Sequence, residues 1–379
     1  MHDVRTLTVR TPLTGALPGF PWDTLAAAKA AANAHPDGIA DLSVGTPVDP
    51  VAPAIRTALA SVADVPGYPT TAGTPALQEA AVAALARRFG IGAGPGAPRL
   101  GMVPAIGTKE MIASLPSHLG LGAQDTVVIP ELAYPTYEVG ALLAGARPVR
   151  ADGTAQLGPA PVTMLFLNSP ANPSGKILGV DHLRKVVDWA RQRGAIVVSD
   201  ECYLGLAWDA EAVSILDERV HDGDVTGLIA VHSLSKTSSL ASYRAGFAAG
   251  DPALLGELLE VRKHAGLMLP LPVQAAMVAA LTDDAHEVEQ RERYRRRREV
   301  LRPAVQRAGF RVDDSEGGLY LWATRDEPCR ETVDRLAALG ILVAPGDFYG
   351  PRGGRHVRIA LTASDVAVAA AAERLAAAA

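Results

Sequence analysis

LIAVHSLSKTSSLASYRAGFAAG, residues 228–250, decides how the rest of the chain is read. It opens on an apolar run, 228–234, and closes on a second one, 245–250. Continuous apolar runs of this length fit strands buried on both faces. Between them stands Lys236, among the hydroxyls of Ser233, Ser235, Thr237 and Ser238, with Arg244 two turns further on. A lone lysine after a strand is ordinarily a solvated charge. A lysine set in hydroxyls between two buried strands is a candidate nucleophile or phosphate clamp.

Outward from this stretch the pattern repeats. Short apolar runs lie at 125–130, 162–168 and 195–200. Between the last of these and its predecessor, LGVDHLRKVVDWARQRG (178–194) places Leu183, Val186, Val187 and Ala190 on one helical face. Buried strands alternating with helices predict an α/β fold, a mostly parallel central sheet with helices on both faces. After about residue 275 the character changes: a long charged helix over 283–308 leads to a further strand-and-helix region ending in HVRIALT (356–362). The expected division is an N-terminal segment, 1–40, packing on a smaller C-terminal α/β domain, 276–379, with a large domain at 41–275 between them.

Open parallel sheets bind ligands beyond the carboxyl ends of their strands. Tyr134 and Tyr137 follow the run 125–130, Asn168 and Asn172 the run 162–168, Asp200 and Tyr203 the run 195–200, and Ser233, Ser235 and Lys236 the run 228–231. Upstream, AIGTKEM sets Gly107, Thr108 and Lys109 before a helix whose N-terminus suits an anion. One lysine, one acid, phenols, an amide and an anion cradle on one rim match what pyridoxal 5'-phosphate requires: an amine to attach to, a carboxylate at its pyridine nitrogen, a phosphate cup and a stacking ring. An arginine fork suits the substrate carboxylate.

With those residues in view, the chain resembles the fold-type I, pyridoxal-phosphate-dependent class I/II aminotransferases. The likeness rests on DLSVGTP, YPTTAGTPALQEA, GTKE, YPTYE, NSPANPSG, SDECY, SLSK with Arg244 eight residues after the lysine, and HVRIAL, which cover nearly the whole chain in the family's order. FPWDTLAAAKA, ELAYPTYEVGALLAGARPVRAD and ILVAPGDFYGP are similar to actinobacterial succinyldiaminopimelate aminotransferases in particular. The resemblance implies that Lys236 carries the cofactor and shuttles a proton, Asp200 pairs with the pyridinium nitrogen, Tyr203 and Asn172 contact the phenolic oxygen, and Tyr134 stacks on the ring. It implies a phosphate cup of Gly107, Thr108, Lys109, Ser233, Ser235 and Arg244. Tyr68 would reach the phosphate of a neighbouring subunit, hence a homodimer with shared sites. Arg358 would bind the substrate α-carboxylate, with Gly45 closing over it and Asn172 beside it.

The implied reaction moves an amino group from glutamate to a keto acid, with N-succinyl-2-amino-6-ketopimelate, on the way to diaminopimelate and lysine, as the leading acceptor. Thr237, Ser239, Ser242 and Gly205 depart from that subgroup's pattern. They leave open a paralogue in specialised metabolism, acting on another keto substrate or catalysing elimination or replacement. Arg262, Lys263 and His264 are candidates for a distal carboxylate.

Several function classes are disfavoured. The formal charge is −5, which gives no pull toward nucleic acid or anionic membrane. RERYRRRRE (291–299) has acidic neighbours at helical spacing and reads as a solvated face. Cys202 and Cys329 form no C-x-x-C, so a reduced, cytoplasmic setting without a metal centre is expected. No uncharged apolar run reaches the ~20 residues needed to span a bilayer. The N-terminus, MHDVRTLTVRTPLTG, lacks a signal peptide's apolar core. Ser233-Leu-Ser-Lys236 also fits S-x-x-K, but its serine-acylase partner motifs are missing. GAGPGAPRLG (92–101) reads as a surface loop, not a dinucleotide loop.

Overall fold

The computed structural model describes residues 13–94 and 96–378. The first dozen residues of the N-terminal segment, and Pro95 in the GAGPGAPRLG loop, therefore lie outside the described residues.

Seven strands build the central sheet: β1 (Gly101–Ile106), β2 (Thr126–Ile129), β3 (Arg147–Arg150), β4 (Met164–Asn168), β5 (Ile196–Asp200), β6 (Leu228–Ser233) and β7 (Ala245–Gly250). Their spatial order is β3-β2-β4-β5-β6-β7-β1. Neighbours from β3 to β6 pair in parallel, whereas β7 runs antiparallel to both β6 and β1. Every residue of β6 and of β7 is buried, which is why both read as unbroken apolar runs. Lys236 lies on the short connection that turns the chain back through this one reversed strand.

Helices cover both faces. Val180–Arg191 buries Leu183, Val186, Val187 and Ala190, the stripe read from sequence. Each buried Leu or Val contributes roughly 1.5–3 kcal/mol, so a charge at Val187 would strip that face from the core. Helix α1, Thr108–His118, starts at Gly107, whose φ of +79° turns the chain from β1 into the helix without steric cost.

A second, smaller sheet is wholly antiparallel, in the order Ala344–Pro345, His356–Ala360, Tyr320–Thr324, Arg311–Asp313. Its hydrophobic cluster takes in Leu336, Ile341, Val357 and Leu375, together with Leu25, Ala28, Ala40 and Leu42 from the chain's other end. Ala40–Asp41 pairs in parallel with Ile341–Leu342. Residue 275 falls inside the helix Leu271–Thr282, whose Ala276, Met277, Ala280 and Leu281 belong to the large cluster.

Helix α2, Ala285–Arg307, carries the basic run. Part of that run is the solvated face expected, with Arg295 paired to Glu292 and Glu299. Tyr294 and Arg297 are not: both are buried. Arg297 bonds Asp49 and Asp365, and Tyr294 donates to the Lys236 carbonyl at 3.0 Å. Among the described residues no helix is long and apolar enough to cross a membrane, and no His/Cys/Asp/Glu cluster of metal-binding size occurs.

Candidate active site

The carboxyl ends of β4, β5 and β6 open into a cavity of about 490 Å³. Gly45, Thr108, Lys109, Tyr134, Asn172, Asp200, Tyr203, Ser233, Ser235, Lys236, Arg244 and Arg358 all line it. The sequence places these residues as much as 313 positions apart, 45 to 358; the fold brings them around one cavity.

Asp200 ends β5, beside Asn168 at the end of β4. The Asp200 Oδ2 accepts from the Tyr137 hydroxyl at 2.7 Å, and Oδ1 accepts from the Cys202 amide at 3.2 Å. Asn168 holds the edge of this floor: its Nδ2 donates to the Asp200 carbonyl at 2.9 Å and its Oδ1 accepts from the Asn172 amide at 2.7 Å. Burial pushes the Asp200 carboxyl up, and the Cys202 and Tyr137 bonds pull it back down. It is an acid held in low dielectric, suited to a cation set against it.

Lys236 reaches across the cavity, where its ammonium donates to the Gly45 carbonyl. Burial lowers its pKa, so the neutral, nucleophilic amine is accessible nearer neutrality than on a surface lysine. Gly45 is confined as well: a Cβ there would stand 2.1 Å from the Tyr320 hydroxyl. Tyr320 in turn shares a 3.1 Å hydrogen bond with Tyr203.

Arg358 is the strongest electrostatic feature. It is 2% exposed and stacks 4.0 Å from the Tyr320 ring centroid. It donates to Asn172 Oδ1 at 3.0 Å and to the Ser43 carbonyl at 2.6 Å. Its Nε has no acceptor, and no carboxylate pairs with it among the described residues. A buried guanidinium is costly unless an anion compensates it, so this site is built for one. Arg244 is a second guanidinium without a carboxylate partner among the described residues, but an exposed one: it donates to the Ala241 carbonyl and lies against Gly107. A Cβ on Gly107 would meet Arg244 at 2.1 Å, so glycine is needed for the helix α1 N-terminus and the arginine to share one anion-sized space. Ser233 and Ser235 flank it, with the Ser235 amide donating to Ser233 Oγ at 3.1 Å.

Some residues fall elsewhere. Tyr68 is 94% exposed and does not line the cavity of its own chain. Arg262 is turned away: it is fully buried and pairs with Glu110 of helix α1 at 2.9 Å, which makes it a brace for that helix. Lys263 pairs with Glu260 on the surface, and neither it nor His264 lines the cavity. Of the departing positions, Ser242 lines the cavity, while Thr237 and Gly205 line a smaller one behind β6. There the Glu287 carboxylate comes within 2.8 Å of where a Cβ on Gly205 would sit. Sequence reasoning missed Trp22 and Tyr320, which also line the site, and left Tyr137 without a role. Tyr137 stands on the rim read from sequence, and its bond to Asp200 is what the sequence does not show.

Comparison with known proteins agrees with this chemistry. The model of aminotransferase class I and II matches residues 37–375. The chain is 67% identical to the probable aminotransferase Rv1178 of Mycobacterium tuberculosis H37Rv over 97% of its own length and 87% of that protein. It is 58% identical to the 4-dedimethylamino-4-oxo-anhydrotetracycline transaminase OxyQ of Streptomyces rimosus, over 95% and 99% of the two chains. The solved N-succinyldiaminopimelate aminotransferase of Mycobacterium tuberculosis shares the fold with a TM-score of 0.85 at 24% identity, covering 98% and 100%. The chain belongs to the class I and II aminotransferases, a pyridoxal-phosphate-dependent family, and is an aminotransferase acting on amino acid and keto acid substrates.

Proposed function

We propose that this aminotransferase takes its nitrogen from glutamate and passes it to a keto acid whose far end is anionic, with N-succinyl-2-amino-6-ketopimelate as the leading acceptor. The observation that carries the reading is the set of cations, besides Lys236, in one cavity left without carboxylate partners among the described residues: Arg358, Arg244 and Lys109. Phosphate at Arg244 and a substrate α-carboxylate at Arg358 account for two. Lys109 is the third. Its Nζ sits 5.5 Å from the Phe20 centroid and 5.6 Å from that of Tyr134, at the mouth. Partial desolvation and the Arg244 charge lower its pKa, and a distal anion would relieve both. We therefore assign its side chain to the acceptor's far end rather than to the phosphate cup.

The donor set fits pyridoxal 5'-phosphate. Gly107, Thr108, Ser233, Ser235 and Arg244 would hold the phosphate, and Asp200, steadied by Tyr137, would face the ring nitrogen. Asn172 and Tyr203 would stand at the phenolic oxygen and Tyr134 over the ring. When bound, the cofactor supplies an electron sink for the bond broken at the substrate Cα. Lys236 would hold the cofactor and, as a free amine, would move the proton at the substrate Cα. Arg358 would hold the α-carboxylate in the same cavity as Lys236. We also propose a homodimer in which the exposed Tyr68 reaches the partner's phosphate.

A second reading, a bulky polycyclic ketone as acceptor, is favoured by the 58% identity to OxyQ and by an aromatic-lined groove beside the cavity. Half-reaction spectra decide between them. Glutamate should convert the yellow enzyme to its amine form, and the succinylated keto acid should restore it. If glutamate leaves the spectrum unchanged, the donor assignment is wrong. If only a ring ketone restores the colour, the second reading replaces the first.

A further inference from the structure

Helix α1 gives the phosphate cup its N-terminus, and an acid in its own first turn stands ready to claim that end. The helix starts at Gly107 without a side-chain cap. Its first helical bond runs from the Met111 amide to the Gly107 carbonyl, and the amides of Thr108, Lys109 and Glu110 find no acceptor among the described residues. Glu110 holds the third helical position, from which a glutamate commonly reaches back to bond the N-cap amide. Here its carboxylate is held elsewhere. Arg262, on the helix Pro252–His264, donates to Oε1 at 2.9 Å and to Oε2 at 3.1 Å. Ser114, one turn further along α1, donates to Oε1 at 3.1 Å. Arg262 is 0% exposed, and Glu110 is its one carboxylate partner among the described residues. A buried ion pair adds little stability over apolar packing of the same volume. What a guanidinium adds over an apolar brace is a two-point hold on one carboxylate.

We infer that Arg262 is a positioning residue for cofactor binding: by holding the Glu110 carboxylate away from the start of α1, it keeps the amides there open to the phosphate. Without that hold, Glu110 competes with the phosphate for the same positive end of the helix. The inference rests on the phosphate cup proposed above, and its test reads binding rather than turnover. Equilibrium dialysis compares pyridoxal 5'-phosphate with pyridoxal, which lacks the phosphate, on the wild type and its variants. In Arg262→Met the Kd for the phosphorylated form should rise about two- to thirtyfold, the span of one charge at a helix terminus. The Kd for pyridoxal should hold. Arg262→Lys, which keeps a single point of hold, should fall between, and it carries the comparison if Arg262→Met does not fold. Glu110→Ala strands the buried guanidinium and should lower the urea midpoint, yet leave pyridoxal 5'-phosphate bound at least as tightly as in the wild type. Joined to Arg262→Met, it should restore wild-type affinity, because no competing carboxylate is left. A parallel loss for both ligands, an unchanged Kd for pyridoxal 5'-phosphate, or a double variant as weak as Arg262→Met overturns the inference and leaves Arg262 a structural brace. A wild type that binds the two ligands equally overturns the phosphate cup itself, and this inference with it.

Discussion

Replacing Tyr137 with phenylalanine removes one hydroxyl and almost nothing else. The ring is fully buried and stacks on Phe166 at 5.1 Å, a contact phenylalanine keeps. What is lost is the 2.7 Å bond to Asp200 Oδ2, leaving the carboxyl to Cys202, whose amide donates at 3.2 Å and whose thiol also favours the ionised form. A hydrogen bond to a charged acceptor is worth about 1.5–3 kcal/mol, which at 1.36 kcal/mol per pKa unit is roughly 1–2 units. The bond favours the ionised form, so its loss raises the Asp200 pKa further in the direction burial already drives it. With Asp200 as the partner of the cofactor nitrogen, the acid limb of kcat/KM for glutamate should move up by about 1–2 pH units, with the plateau at high pH largely preserved. Stopped-flow or steady-state rates from pH 5 to 9 on the holoenzyme read this directly. An acid limb that stays where it was, in a variant that still binds cofactor, would refute the assignment of Tyr137 as the group that keeps Asp200 ionised.

Three further outcomes follow from the same geometry. Tyr294→Phe takes from the Lys236 carbonyl its one side-chain donor, at 3.0 Å, and should cost about 1–3 kcal/mol in urea denaturation while lowering kcat more than it changes KM. Glu201 is fully buried and its pKa is pushed up to about 7 from 4.5, chiefly by desolvation. Its stabilising protonated form is complete below the unfolded pKa and lost as pH rises through 7, so Glu201→Gln should gain on the wild type by up to about 3 kcal/mol between pH 5 and 8. A constant stability difference across that range would argue against it. Gly107→Ala drives a methyl to 2.1 Å from Arg244, at a φ of +79°, and should weaken cofactor binding tenfold or more, about 1.4 kcal/mol, in equilibrium dialysis.

Much of this molecule is legible in sequence because the sheet is buried on both faces. The runs at 228–234 and 245–250 became β6 and β7 within a residue. β1 and β3 were not read as strands: β1 contains Pro104, and β3 is the edge sequence Arg147-Pro148-Val149-Arg150, only partly buried. The reversed direction of β7 was also unreadable, since an apolar run carries no arrow. At the site, residues just past strand ends were found because the strands were. Trp22 and Tyr320 reach the cavity from the N-terminal segment and the small sheet, and no local pattern announces a contact across such a distance. The basic run on α2 misled for the same reason. Its charge pattern is that of a solvated helix, yet Arg297 is spent on Asp49 and Tyr294 on the lysine loop.

The pairing of Ala40–Asp41 with Ile341–Leu342 has a consequence in time. A nascent chain that emerges at about 5–20 residues per second makes its two halves of this contact tens of seconds apart. Until the second half appears, Leu25, Ala28 and Leu42 have no cluster to join, and the following Gly45 cannot be set over Lys236. The large sheet can form in the interval, so the newborn protein passes through a stage that holds most of its catalytic wall but no lid and no place for the front of its chain.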